Sequence, residues 1–227
     1  MGPRPPARAF IFDMDGVVID SMPVHEQAWE RYLESMGIHG RDADEIRARM
    51  HGRRNDEIVR DILGPAAPAQ DIHRHGAAKE QLFRDMVGEE VHQHLVPGIG
   101  ELLERTHGIP VALATNAERA NADFVLDGSG LRRYFQVVVD GSQVPHPKPA
   151  PDVYLLAARQ LGVAPADCIV FEDSPVGVAS ARSAGTRVVG ILTHADHLDG
   201  VEFAVRDFED PALQPWLARQ LPAPLPE

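Results

Sequence analysis

Five short runs of apolar and β-branched residues alternate with helical patterns along this chain, and that alternation leaves few folds open. The runs are RAFIFDMD (8–15), IPVALAT (109–115), QVVVD (136–140), DCIVFED (167–173) and RVVGIL (187–192). Each is too apolar to keep one face in water, as expected of a parallel strand covered on both sides. Helical periodicity fills the gaps at 100–107, 118–129, 149–162 and 175–184, with Gly162 and Gly185 placed as helix stops. The pattern predicts an α/β domain with a doubly wound, parallel, Rossmann-like sheet.

The first strand does not lead directly to the second. The intervening residues read as helix throughout, over 23–36, 43–50, 56–63 and 71–94, with a proline-containing loop at 64–68. VPGIG (96–100) marks the return to the α/β pattern. A small all-helical insert is therefore expected over 21–95, and an α/β core over 1–20 and 96–227.

Composition removes several alternatives. No stretch of about 18 apolar residues is present, so no membrane span is expected. A formal net charge of −12 argues against a broad basic surface for nucleic acid. The single cysteine, Cys168, excludes an internal disulfide and lies in an apolar run, so it is expected as a buried thiol in a cytoplasmic protein. MGPRPPAR at the start and LPAPLPE at the end are expected to be loose, without a secretion signal. The pairs His73/His75 and His92/His94 are spaced i, i+2, which does not bring two rings to one helix face, so no transition-metal site is expected there.

Ligands of an open parallel sheet gather at the carboxyl ends of its strands. Here those ends carry Asp13 and Asp15, then Thr115 and Asn116, then Asp140, then Glu172 and Asp173. Any one of them is an ordinary turn residue. Turn chemistry does not require acids on several separate strands, and such a cluster needs a cation. Mg²⁺ suits it, because that ion prefers one or two carboxylates plus phosphate oxygens and water.

The motifs resemble those of the haloacid dehalogenase superfamily, in its phosphatase and β-phosphoglucomutase-like branch. FIFDMDGVVIDS (10–21), ALATN (112–116), HPKPAPDVY (146–154) and VFEDSPVGVASARSAG (170–185) occur in that family's order. The resemblance spans about 8–192 and implies a Mg²⁺-dependent enzyme acting on a small phosphorylated metabolite through an aspartyl-phosphate. Asp13 would attack phosphorus once its charge and the ester's are screened. Asp15 would protonate the leaving oxygen and then activate water. Metal ligands are expected from Asp13, Asp15 (the family uses its backbone carbonyl), Glu172 and Asp173. Gly16 would let the chain turn away sharply. Thr115 would offer its hydroxyl and backbone N–H to a phosphate oxygen, with Asn116 and Ala117 opening a helix behind it; a plain helix cap is the alternative. Lys148, one of only two lysines beside Lys79, is stiffened by Pro147 and Pro149 and would balance Asp13 and the phosphate.

The insert resembles the family's cap, which closes over the pocket. Its hinges are expected near 20–23 and 95–98. His25, Arg53 and Arg54 are candidate substrate contacts, and Trp29 is either a contact or core. True mutases of this branch carry an arginine where Asn55 stands, and lysines where His51 and Glu118 stand. Hydrolysis of a sugar or polyol phosphate is thus the first reading, and a β-phosphoglucomutase-type mutase the second. A haloacid dehalogenase and a non-catalytic binding protein rank below both. A monomer is expected, with a dimer as the alternative.

Overall fold

The computed structural model describes residues 6–37 and 55–221. Six parallel strands form one sheet: β1 (Ala9–Phe12), β2 (Val111–Ala114), β3 (Val137–Val139), β4 (Cys168–Glu172), β5 (Arg187–Ile191) and β6 (Phe203–Val205). Their order is β3-β2-β1-β4-β5-β6. The five expected strands are all present, each shorter than its apolar run. The sixth, FAV, has only three residues at the sheet edge, too short a run to stand out in the sequence.

Side-chain alternation divides the core of the α/β part in two. Phe10 and Phe12 point into one cluster and Ala9 and Ile11 into the other. Phe12 stacks on Phe171 of the neighbouring strand at 4.5 Å between ring centroids, tying β1 to β4. Helices α4 (Ile99–Arg105), α5 (Arg119–Gly128) and α8 (Leu213–Ala218) cover the aromatic face. Helices α6 (Asp152–Leu161) and α7 (Pro175–Ser183) cover the other, where Cys168 is buried and burial pushes its thiol up to about 12. Helix α7 starts where its sequence says it should: the Ser174 hydroxyl accepts from Gly177 N–H at 3.0 Å and Pro175 occupies the first turn.

Helices α1 (Met22–Ser35), α2 (Asn55–Leu63) and α3 (Ala69–Val87) lie between β1 and β2. Met22, Trp29, Leu33, Ile58, Val59 and Ile72 form a separate small core among them. Ala28, Phe83 and Val87 instead join the main cluster, so this helical layer is docked on the sheet domain. The expected helix over 71–94 ends earlier, at Val87. Gly88 takes a positive φ of 59°, and Val91–His94 form a separate 3₁₀ turn. The chain leaves and returns through adjacent segments: Asp20 N–H donates to His94 O at 2.7 Å and Val96 N–H to Val18 O at 3.1 Å. No helix among the described residues is long and apolar enough to cross a membrane.

Candidate active site

The strand order places β1 beside β4 in the middle of the sheet, with crossovers leaving in opposite directions, and a crevice opens there at the strands' carboxyl ends. Asp13 follows β1 directly, and Asp173 follows β4. A cavity of about 440 Å³ lies above them, lined by Asp13, Asp15, His25, Thr115, Lys148 and Asp173 among others.

Lys148 is 5% exposed, and its ammonium donates to Asp13 Oδ1 at 2.7 Å and to Glu172 Oε1 at 2.8 Å. The loop carrying it is fixed by Asn116, whose side-chain oxygen accepts the Lys148 backbone N–H at 3.0 Å. Burial disfavours the charge on Lys148, but the Asp13 and Glu172 carboxylates outweigh it and hold the ammonium protonated above its ordinary range. Burial raises Asp13 to about 7; Lys148 opposes the rise, while Glu172 and Asp15 add to it. Asp173 is raised well above the usual carboxylate range, first by burial and then by Glu172 and Asp13.

Glu172 is fully buried and its carboxylate is saturated. Oε1 accepts from Lys148 and, at 2.6 Å, from the Tyr154 hydroxyl. Oε2 accepts from Asp173 N–H, Ser174 N–H and Ser174 Oγ, each at 3.1 Å. A Cβ on Gly177 would collide with this carboxylate, so the glycine is what admits it beneath α7. Gly16 has the same function opposite Asp173. Its φ is +75°, a Cβ there would strike the Asp173 carboxylate, and its carbonyl accepts from Thr193 Oγ1 at 2.6 Å.

Asp13, Glu172 and Asp173 each offer an oxygen within 4.8 Å of the others. Three acids with one lysine between them leave uncompensated negative charge, and hard carboxylate oxygens suit a divalent cation. No hydrogen bond among the described residues engages the Asp173 carboxylate, in contrast to the five donors on Glu172. The donor set thus fits a cation held on the Asp13 and Asp173 side, with Glu172 behind.

Asp15 lies outside that triad. Its carboxylate accepts from Ser21 Oγ at 2.5 Å and faces His25 Nε2 at 3.5 Å. Burial alone would raise it; the hydrogen bond and charge from His25, then the Ser21 hydroxyl, reverse this and lower it. His25 Nδ1 lies 2.7 Å from Lys79 Nζ. An ammonium has only donors, so in this contact Nδ1 accepts, and it is the Nε2 side of the ring that is turned toward Asp15. Stacking on Phe83 at 3.8 Å holds the ring in place.

Lys79 and Glu80 were not expected in the site. Lys79 donates to Glu80 Oε1 at 2.8 Å, and both are buried. Asn55 also donates to Glu80 Oε1, and Asn121 on α5 donates to Glu80 Oε2. Arg84, one turn further along α3, donates to the other end of the same Asn121 amide at 2.6 Å and to Glu118 at 3.1 Å. Burial works against ionised Glu80, but Lys79 and His25 bring it down to about 2.

Two details differ from the sequence reading. The Thr115 N–H is committed to Val139 O at 3.0 Å, because the β2–β3 ladder continues past the strand end; only the hydroxyl is left for a ligand, and it already accepts Ala117 N–H at 3.0 Å. Helix α5 begins at Arg119, in line with the periodicity over 118–129, so Asn116 and Ala117 precede the helix rather than open it, and the Asn116 side chain is turned to Lys148. Trp29 is 1% exposed and belongs to the helical layer's core, although it also borders the cavity. His51, Arg53 and Arg54 lie outside the described residues.

A doubly wound sheet with acids and a buried lysine at its central crevice defines an enzyme site for an anionic ligand. The sequence profile of the haloacid dehalogenase-like hydrolases matches residues 7–185, and the chain belongs to that family. Protein CbbY of Rhodobacter capsulatus is 34% identical over 227 residues, covering 95% of this chain and 97% of that one. The fructose-1-phosphate phosphatase YqaB of Escherichia coli is 36% identical over 183 residues, covering 80% of this chain and 94% of that one. Among solved structures, β-phosphoglucomutase from Clostridium difficile superposes with a TM-score of 0.81 at 25% identity, covering 94% of this chain and 98% of that one.

Proposed function

We propose that this chain is a Mg²⁺-dependent phosphatase that hydrolyses a small sugar or polyol phosphate through an aspartyl-phosphate on Asp13. The observation that carries this reading is the contact of Asp13 with Lys148 on one side of a cavity and its approach to Asp173 on the other. Attack forms a bond from an Asp13 oxygen to phosphorus and breaks the bond to the leaving oxygen. The negative charge of the bound ester favours a proton on Asp15, and Asp15 gives that proton to the leaving oxygen and is left as a carboxylate. In the second half, water attacks phosphorus, Asp15 takes its proton, and Asp13 is released as a carboxylate. Lys148 offsets the charge of Asp13 and of the incoming phosphate, and the Thr115 hydroxyl orients a phosphate oxygen. Asp13, Asp173 and the Asp15 carbonyl would hold a Mg²⁺ ion, which would supply the remaining charge compensation. Glu172 holds Lys148 and the turn carrying Asp173 rather than the ion itself.

The helices over 21–95 act as the cap, with paired hinges where 18–20 meets 94–96. His25 turns its Nε2 side to Asp15 and sets that acid beside the leaving group. Glu118 at the rim, paired with Arg84, puts a carboxylate where a mutase would need to hold a second anionic group, which favours hydrolysis. A phosphate-release assay with Mg²⁺ over a panel of sugar and polyol phosphates, fructose 1-phosphate and β-glucose 1-phosphate included, tests the reading. Metal-dependent release from a member of the panel is expected. Isomerisation of β-glucose 1-phosphate without release would replace the phosphatase by a mutase.

A further inference from the structure

We propose that Tyr154 is a positioning residue for phosphotransfer: its hydroxyl occupies the Glu172 oxygen that Lys148 also uses, and so keeps the lysine ammonium on Asp13. The inference rests on the reading of Asp13 as nucleophile and Lys148 as its charge partner.

Lys148 stands between two carboxylates at nearly equal distances, 2.7 Å to Asp13 and 2.8 Å to Glu172. Glu172 is the more deeply buried of the two, at 0% exposure against 8% for Asp13. Left alone, a fully buried carboxylate would draw the ammonium toward itself, since buried charge is costly unless compensated. Four other donors prevent this. Three of them act on Oε2 and are local to the turn after β4. On Oε1 the only donor besides Lys148, among the described residues, is the Tyr154 hydroxyl at 2.6 Å. It comes from α6, six positions after Lys148, so one short segment supplies both donors to that oxygen. The Tyr154 ring also faces the ammonium, with Nζ 4.7 Å from the ring centroid, which closes one side of the lysine's range without adding a competing acceptor. The hydroxyl thus satisfies Glu172 in place of a stronger hold by Lys148, and the ring blocks withdrawal.

The test is Tyr154→Phe, which retains the ring and removes the donor. With p-nitrophenyl phosphate and Mg²⁺, kcat is expected to fall about tenfold with KM changed by less than about twofold, as for an interaction expressed mainly in the transition state. The chain has only two lysines, so ¹⁵N-lysine labelling gives two side-chain ammonium signals; that of Lys148 is expected to shift while that of Lys79 stays. In a Glu172→Gln background the further Tyr154→Phe change is expected to cost less than about twofold, because its effect passes through Glu172. Wild-type kcat in Tyr154→Phe, or a full additive loss in the Glu172→Gln background, would overturn the proposal. If the wild-type protein releases no phosphate from any monoester, the phosphatase reading fails, and Tyr154 is judged on the Lys148 signal alone. An unmoved signal then rejects it. Should the Phe variant not fold, replacing the three tyrosines by fluorotyrosine keeps the side chain and strengthens the donor; the Lys148 signal is then expected to move, and a static one rejects the proposal.

Discussion

Lys148 Nζ lies 2.7 Å from Asp13 Oδ1, although 135 positions separate the two residues in the chain. The contact exists because β1 and β4 are neighbours at the sheet centre and α6 returns its preceding loop over both. Asp13→Asn is expected to abolish turnover, with kcat down at least about 10³-fold, as for loss of a covalent nucleophile. The fold is expected to survive. Burial makes ionised Asp13 unfavourable, so the neutral amide should leave the metal-free protein at least as stable as wild type at pH 8 by thermal melting.

The same burial sets a pH dependence. Asp13 titrates near 7 in the metal-free site, above its ordinary 3.8. A raised carboxylate stabilises the folded state below its unfolded value, and that contribution is lost as pH rises through the folded value. Metal-free protein should therefore lose stability between about pH 4 and pH 7 at this site. Mg²⁺ competes with the protons on Asp13 and Asp173, so its affinity should climb as pH rises, by up to about tenfold per pH unit for each proton displaced. Calorimetric titration of Mg²⁺ at several pH values measures this directly.

Gly16→Ala is expected to remove activity by displacing Asp173. A methyl group there would overlap the Asp173 carboxylate, and the positive φ of 75° is strained for any L side chain. Mg²⁺ affinity should fall together with kcat, while the fold persists as judged by circular dichroism.

Glu80→Ala would leave Lys79 buried without its carboxylate and release Asn55 and Asn121. Breaking a buried pair from one side costs about 3–5 kcal/mol. Chemical denaturation should show a loss of that size. Glu80→Gln should cost less, because the amide oxygen of this neutral side chain of equal length still accepts from Lys79 or Asn121.

The sheet and most of the candidate site were legible in the sequence for one reason: in a doubly wound fold the strand order carries each strand-end residue to one crevice. Asp13, Asp15, Thr115, Lys148, Glu172 and Asp173 all announce themselves by position after an apolar run or between prolines. Lys79 and Glu80 do not. They lie in an ordinary amphipathic stretch, and only the docking of α3 against α5 buries them beside His25 and Asn121. Tyr154 stood in a motif already singled out, but its partner Glu172 lies 18 residues on, and nothing in the spacing reveals that they share an oxygen with Lys148. Strand β6 was missed because three residues at a sheet edge carry too little pattern to separate from a loop.

The central claim is covalent transfer of phosphate to Asp13. A single turnover with ³²P-labelled substrate and Mg²⁺, quenched in acid and mapped by peptide mass spectrometry, tests it most directly. The account predicts label on the peptide containing Asp13 and none in Asp13→Asn; with p-nitrophenyl phosphate, whose leaving group needs no proton, it also predicts longer-lived label in Asp15→Asn, which lacks the group that activates water. Phosphate released with no label on Asp13, or with label on another residue, would contradict it.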